Sequence, residues 1–375
     1  MRVLINAVSI KDGGSRVVLQ RLLAAMCQLR PDAEWIVAAN PKCEPVIPDV
    51  GSVRWKPIQW IDKSPLHLIG WYELVLPAII RKYRANVLFS QTNYLPRRPV
   101  HCRTLLLIQH AGHFSPVFNR LMRGSLPSAR ERFLWERKRR WVHRSAKAAS
   151  LLTVQTKALA EAVAEQTGRS RDMIAVIPHG PGQVEQVARP PMRRPGGATR
   201  IGYLTRFGVQ KNFETVFRAV RLLADAGHRM QLVLSLDEKD QANRDVLARA
   251  EHIGVQRLIE NRGEMRPQDV STVYDSLDIS VFASLCESFG LPMVEAMARG
   301  VPLVVADVDS NIEVTQGAAL SFPATDAGAL ADTLSRLMSD PAEYKKRSEL
   351  GLKASANYSW SKAAGETISV LESLT

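Results

Sequence analysis

The chain has 375 residues, too many for one comfortable core and a good length for two domains of ordinary size. Its 46% apolar and 23% charged content is that of a globular protein, which argues against a disordered or fibrous chain. The net charge of +13 is uneven: residues 1–180 hold 28 Lys and Arg against 12 Asp and Glu, and residues 181–375 hold 22 against 25.

Short apolar runs alternate with stretches of helical period, the pattern of parallel sheets covered by helices. In the first half the expected strands are Val3–Ala7, Trp35–Ala39, Val87–Ser90, Thr104–Ile108, Leu151–Val154 and Ile174–Ile177. In the second half they are Ile201–Leu204, Gln231–Leu236, Leu258–Asn261, Ile279–Phe282, Leu303–Ala306 and Ala319–Phe322, with amphipathic stretches such as Glu214–Ala226 and Leu291–Ala298 between them. Each half thus reads as a doubly wound α/β unit. Residues 181–200, rich in Pro, Gly and Arg, read as a linker between domains 1–180 and 201–357. The opening MRVLINAVSI lacks a long apolar stretch and a small-residue cleavage site, so it reads as a buried strand rather than a signal peptide. With no run of about 18 apolar residues, no membrane-spanning helix is expected. Cys27, Cys43, Cys102 and Cys286 are scattered, as in a cytosolic protein with reduced thiols.

Three places offer chemistry. Gly13-Gly14 follow the opening strand and precede the helical stretch Val17–Met26, where glycines permit close backbone approach to an anion. Arg206 and Lys211 follow the first strand of the second half, at the end of a sheet where ligands bind, and two cations there suit a diphosphate. The segment CESFGLPMVEAMARG (286–300) follows the strand Ile279–Phe282. Ser288-Phe289-Gly290 reads as a turn, and Pro292 suits the first turn of a helix whose N–H groups face the strand ends. Glu287 precedes that helix and Glu295 lies about one turn inside it, placed to accept hydrogen bonds from hydroxyls of one extended ligand. Asp307-Val308-Asp309 is a D-x-D, a pattern that elsewhere ligates a divalent metal but is short and common by chance.

ESFGLPMVE (287–295) resembles the E-x7-E motif of the large family of retaining glycosyltransferases to which bacterial sucrose and mannosyl transferases belong, the family 4 type of the group 1 enzymes. The resemblance extends through AMARGVPLVVADV (296–308), RFGVQKN (206–212), VIPHG (176–180) and the terminal YSWSKAA (358–364), in order and at sensible spacing. It implies the GT-B fold, two Rossmann-like domains facing a central cleft, with the terminal helix (358–375) packing back on the first domain. It implies that Arg206 and Lys211 bind the donor diphosphate and that Glu295 binds the ribose. Glu287 and the backbone N–H groups of Ser288, Phe289, Gly290 and Leu291 would hold the transferred sugar and phosphate, and Gly13-Gly14 would close over the donor. A histidine of the first domain usually sits near the sugar; LLIQHAGHFSP offers His110 and His113, of which His110 is closer to the strand end. Such a site needs no metal and no cofactor beyond the nucleotide-sugar substrate, and the family retains anomeric configuration. D-x-D falls inside the resembling stretch, which counts against a metal role.

Residues 120–147 carry ten Arg and Lys against Glu131 and Glu136, with Phe133, Leu134, Trp135, Trp141 and Val142 interleaved. This suits a helix lying on an anionic membrane surface, and equally a surface helix whose aromatics turn inward. No nucleic-acid module accompanies the charge, so nucleic acid is not an expected partner. The leading reading is transfer of a hexose from a nucleoside diphosphate to a glycan or lipid-linked acceptor in cell-surface polysaccharide or lipopolysaccharide assembly. The expected location is cytoplasmic, peripheral to the inner face of the plasma membrane. Alternatives are a nucleotide-sugar hexosamine epimerase of the same fold and a non-catalytic surface-binding protein.

Overall fold

The computed structural model describes residues 1–187 and 197–375. The chain divides into two compact units. The first comprises Met1–Asn119, Arg123–Gly180 and Ser359–Thr375; the second comprises Pro181–Tyr358 together with Arg120–Met122.

The first unit is built on seven strands: β1 (Arg2–Ala7), β2 (Glu34–Ala39), β3 (Val53–Pro57), β4 (Val87–Ser90), β5 (Arg103–Leu107), β6 (Leu151–Val154) and β7 (Ile174–Val176). They lie in the order β3-β2-β1-β4-β5-β6-β7, every pairing parallel. The described residues of the second unit form six: β8 (Thr199–Tyr203), β9 (Met230–Leu234), β10 (Ile259–Asn261), β11 (Ile279–Phe282), β12 (Leu303–Ala306) and β13 (Leu320–Phe322). Their order is β10-β9-β8-β11-β12-β13, again all parallel. Both orders reverse beside the first strand, the doubly wound Rossmann-like arrangement that leaves a crevice at the carboxyl ends of the two middle strands.

The apolar runs form these strands because a parallel sheet covered by helices buries both faces. Every residue of β4, β11 and β12 is buried. β3 is absent from the strands expected from sequence. VRWKP has exposed or half-exposed charged residues and a terminal proline, a composition suited to a sheet edge.

Two further expectations are corrected. The helix expected at Val17–Met26 runs from Gly13 to Leu29, so Gly13 and Gly14 are its first residues rather than a turn before it; Gly13 has a φ of 64°. The linker expected at 181–200 is shorter. Residues 181–187 belong to the second unit, where Val187 N–H donates to Ala298 O at 2.9 Å and Val184 is buried in the core. β8 already begins at Thr199, and residues 188–196 lie outside the described residues.

The terminal helix Trp360–Glu372 packs on the helix Gly13–Leu29 within the first unit, and Arg30 pairs with Glu372. His179 stacks on Trp360 with ring centroids 5.2 Å apart. Gly180 is required by this approach, since a Cβ there would fall 2.7 Å from the Trp360 backbone nitrogen. Among the described residues no helix is long and apolar enough to cross a membrane. Gly180→Ala is expected to destabilise the chain by about 1–3 kcal/mol, the usual penalty of overpacking. Denaturant unfolding measures this, and an unchanged midpoint contradicts it.

Candidate active site

The crevice of the second unit lies beyond the carboxyl ends of β8 and β11. After β8 the chain makes a short turn, Val209–Lys211, and enters the helix Phe213–Asp225 through Asn212. Asn212 has a φ of 53°, in the left-handed region that asparagine tolerates better than most residues. Its side chain donates to Ala324 O at 2.8 Å and accepts from Thr215 Oγ1 at 2.8 Å. The turn is held again where Leu285 N–H donates to Gln210 O at 2.9 Å, and where the buried Tyr203 hydroxyl donates to Lys211 O. Lys211 is thereby fixed at the strand ends. Its ammonium lies over the Phe282 ring, 5.2 Å from the centroid, and pairs with Glu287 Oε1. That oxygen also accepts from Ser284 Oγ at 2.6 Å. Both side chains of the pair are 13% exposed. The pair therefore sits in a much drier place than a surface salt bridge, where a charge-assisted contact counts for more.

Glu287 is followed by a turn and by the helix Leu291–Ala298. Gly290 caps this helix with a φ of 85° and no side-chain cap bond. Phe289 is buried, its ring edge-on to Tyr358 at 5.4 Å, so it serves the core and offers a ligand only its backbone. Ser288 and Leu291 flank it on the same turn. A cation and a helix N-terminus that has no side-chain cap bond, at one set of strand ends, form an arrangement that favours an anion. Arg206, on the same loop as Lys211, pairs instead with Glu264 at 2.9 Å. Their side chains are 52% and 60% exposed. An exposed pair of this kind is weak and readily exchanged for a phosphate.

Glu295 differs from Glu287. It is buried; Oε1 accepts from Gln183 N–H at 2.9 Å and Oε2 from the Tyr274 hydroxyl at 3.1 Å. Burial raises its carboxyl pKa above the ordinary value, and these two hydrogen bonds only partly oppose the shift. The Gly182–Gln183 backbone lies so close that a Cβ on Gly182 would fall 2.0 Å from Oε1. Tyr274, Ser284, Gly182 and Gln183 were not singled out from sequence. Ser284 stands three residues before Glu287, but the other three carry no local signal, being defined by a contact with Glu295.

In the first unit, His110 is exposed just beyond β5, while His113 is buried and stacks on Trp135 with centroids 4.8 Å apart. Burial, aided by neighbouring His110 and His143, lowers the His113 pKa to about 3, which keeps that ring neutral. Asp309 opens the helix Asp309–Thr315, and among the described residues no three His, Cys, Asp or Glu side chains are grouped to hold a metal ion.

Residues 185–355 match the family model described as "Glycosyl transferases group 1". The second unit belongs to the group 1 glycosyltransferases. A D-inositol 3-phosphate glycosyltransferase of Corynebacterium urealyticum is 30% identical over 33% of this chain and 30% of its own length. The chain thus spans about a third of the length of that curated relative; others are named as mannosyl- and glucosyltransferases. Solved structures extend the likeness in fold to both sheets. Sucrose-phosphate synthase from Thermosynechococcus elongatus superposes with a TM-score of 0.77 at 17% identity, covering 100% of this chain and 99% of that one. HepE of Anabaena, solved with UDP and glucose, gives 0.72 at 17%, covering all of both chains. The two sheets are those of the GT-B fold.

Burial places the folded-state pKa of Glu295 above its unfolded value, so folding takes up a proton between the two. The cost of ionising it is absent below the ordinary value of 4.5 and grows as pH rises toward the raised folded value. Glu295→Gln, uncharged at every pH, is therefore expected to gain stability relative to the natural chain as pH climbs from 4.5 to 8. Urea midpoints across that range test this, and a difference flat in pH contradicts it.

Proposed function

We propose that the chain is a retaining, metal-independent hexosyltransferase that moves a sugar from a nucleoside diphosphate to a glycan or lipid-linked acceptor in cell-surface polysaccharide or lipopolysaccharide assembly. The observation that carries this reading is Lys211, an ammonium held by Glu287 at the carboxyl ends of β8 and β11 beside a helix start with no side-chain cap bond. When the bond from the anomeric carbon to the diphosphate breaks, charge develops on the leaving oxygen. Lys211, Arg206 and N–H groups of the Ser288–Leu291 turn stabilise that charge. For this, Lys211 exchanges Glu287 for the diphosphate as the donor binds, and Glu287 is released to accept hydrogen bonds from hydroxyls of the sugar to be transferred. Glu295 retains lone-pair capacity for a ribose hydroxyl beyond its two protein partners. The acceptor attacks from the face the diphosphate leaves, passing its proton to a diphosphate oxygen, which gives retention. Of the two candidate histidines, His110, exposed just beyond β5, is the one this reading gives to the substrate. Support for the donor class comes from the neighbour solved with UDP and glucose.

Incubation with UDP-, GDP-, ADP- and dTDP-hexoses, EDTA and a panel of methyl glycosides is expected to yield a product whose anomeric proton, by NMR, shows the donor's configuration. Lys211→Ala should lower turnover by about 10²-fold or more. An inverted product, or activity abolished by EDTA, contradicts the reading.

The lipid-linked acceptor is supported by the helix Ala129–Ala148. Trp135 and Trp141 turn inward, Trp135 stacking on His113 and Trp141 donating to Leu95 O at 2.9 Å. Phe133 and Leu134 stay outside, 54% and 41% exposed, among Arg130, Arg132, Arg137 and Lys138. Glu131 is engaged in a capping box with Ser128, and Glu136 pairs with Arg123 and Arg139. Apolar side chains ringed by cations suit the inner, anionic face of a membrane. Replacing Phe133 and Leu134 by Ser should cut binding to phosphatidylglycerol vesicles by about tenfold or more, given the apolar area each side chain would bury. Unchanged co-sedimentation removes this support.

A further inference from the structure

The carboxyl ends of the first unit's middle strands carry two polar sets of opposite character. One is closed on itself. Asn6 Nδ2 donates to Ser90 Oγ at 3.0 Å, Asn6 Oδ1 accepts from Trp71 Nε1 at 3.2 Å, and the Tyr72 and Thr92 hydroxyls share a bond of 2.6 Å. The other set is open. Both amide atoms of Gln91, both of Gln155, Nε2 of Gln109 and Oγ1 of Thr153 are buried with no hydrogen-bond partner among the described residues. Gln91 and Thr153 are each 2% exposed and Gln155 1%.

These residues are neighbours by topology. β4, β5 and β6 are adjacent and parallel, with Ser90 opposite Leu106 and Leu107 opposite Thr153. The ladder continues past the strand ends: Gln91 N–H donates to Asn6 O at 2.9 Å, and Ile108 N–H to Thr153 O at 3.0 Å. Gln91 therefore falls level with Leu107 and Thr153, and Gln109 falls level with Gln155. Residues level with one another in a parallel sheet, and those two apart on one strand, project to the same side. The four polar side chains thus share one side of the sheet at the end where such folds take ligands. Native interiors leave very few buried polar groups unmet, because each forfeits its hydration without return. A run of them on one side of a sheet is a place prepared for an occupant.

The chemistry of the set defines that occupant. Amides and a hydroxyl both donate and accept, and none of the four carries charge, so the matching partner is a neutral O–H group. We propose that Gln91, Gln109, Thr153 and Gln155 bind the uncharged hydroxyls of the acceptor, making its reactive end a neutral sugar ring rather than a phosphorylated or carboxylated one. The assignment rests on the transferase reading above. It also sets these residues apart from the basic surface of the same unit, whose cations serve an anionic surface and not the acceptor ring.

Hydroxyl oxygens come from two sources, an acceptor and ordered water, and the test separates them. Saturation-transfer NMR on the full chain with UDP present would use methyl α-glucoside, α-galactoside and α-mannoside, each against the corresponding hexose 6-phosphate. UDP affinity and thermal unfolding would be followed in parallel for Gln91→Met and Gln155→Met. The expected result is binding of at least one neutral glycoside, weakened tenfold or more in either variant. UDP affinity should stay unchanged, and the melting temperature of the ligand-free variants should be equal or higher, since methionine leaves no amide unmet. UDP binding without any neutral glycoside binding overturns the proposal while sparing the transferase reading. Lower melting temperatures with glycoside binding unaltered assign the amides to structural water and overturn it as well. If the natural chain binds none of UDP, GDP, ADP and dTDP, the transferase reading falls and takes the proposal with it.

Discussion

A lysine ammonium held in a largely dry crevice must have a counter-charge, and this requirement organises the second unit's candidate site. Lys211 and Glu287 are 76 residues apart in sequence, yet β8 and β11 pair directly, so their ends bring the two together. Around them the chain commits much of its local hydrogen bonding to position: Tyr203 on the Lys211 carbonyl, Asn212 on Ala324, Leu285 on Gln210, Ser284 on Glu287. A cation preset in this way loses little freedom when an anion arrives. Preorganisation of that kind is what electrostatic catalysis asks of a site. In the proposed reaction, exchange of Glu287 for a diphosphate would replace one charge-assisted contact by another and keep the lysine paired throughout.

Glu295 answers a different constraint. Its carboxyl is buried against Tyr274 and the backbone at Gly182–Gln183, and its raised pKa is the electrostatic consequence. The segment 181–187 is therefore part of the second unit's fold and lies directly on a residue to which the resemblance gives a donor role. One glutamate is held by a nearby ammonium, and the other is enclosed by the fold.

Much of the fold was legible in the sequence because parallel strands buried on both faces read as plain apolar runs, as VLFS, ISVF and LVVA do. β3 was not legible, since an edge strand alternates charged with apolar residues and looks like a loop. Gly182 shows where composition misleads. Beside Pro181 it suggests a loosened linker, whereas it is glycine because any side chain would collide with Glu295. Lys211, Glu287 and Glu295 could be named from their motifs, but their partners could not. Contacts such as Lys211 with Glu287 or Tyr274 with Glu295 are set by which strands and helices lie side by side. The unmet amides of Gln91 and Gln155 were invisible for the same reason, because only a folded interior can leave a polar group without a partner.

The most direct measurement is calorimetric titration of the full chain and of Lys211→Ala with UDP, GDP, ADP and dTDP, with EDTA throughout. The account predicts that one of these nucleotides binds the natural chain without metal and that Lys211→Ala weakens that binding by about tenfold or more, as loss of a charge-assisted contact does. Failure of all four to bind, or binding indifferent to the loss of Lys211, would contradict the assignment of this crevice to a nucleotide-sugar diphosphate.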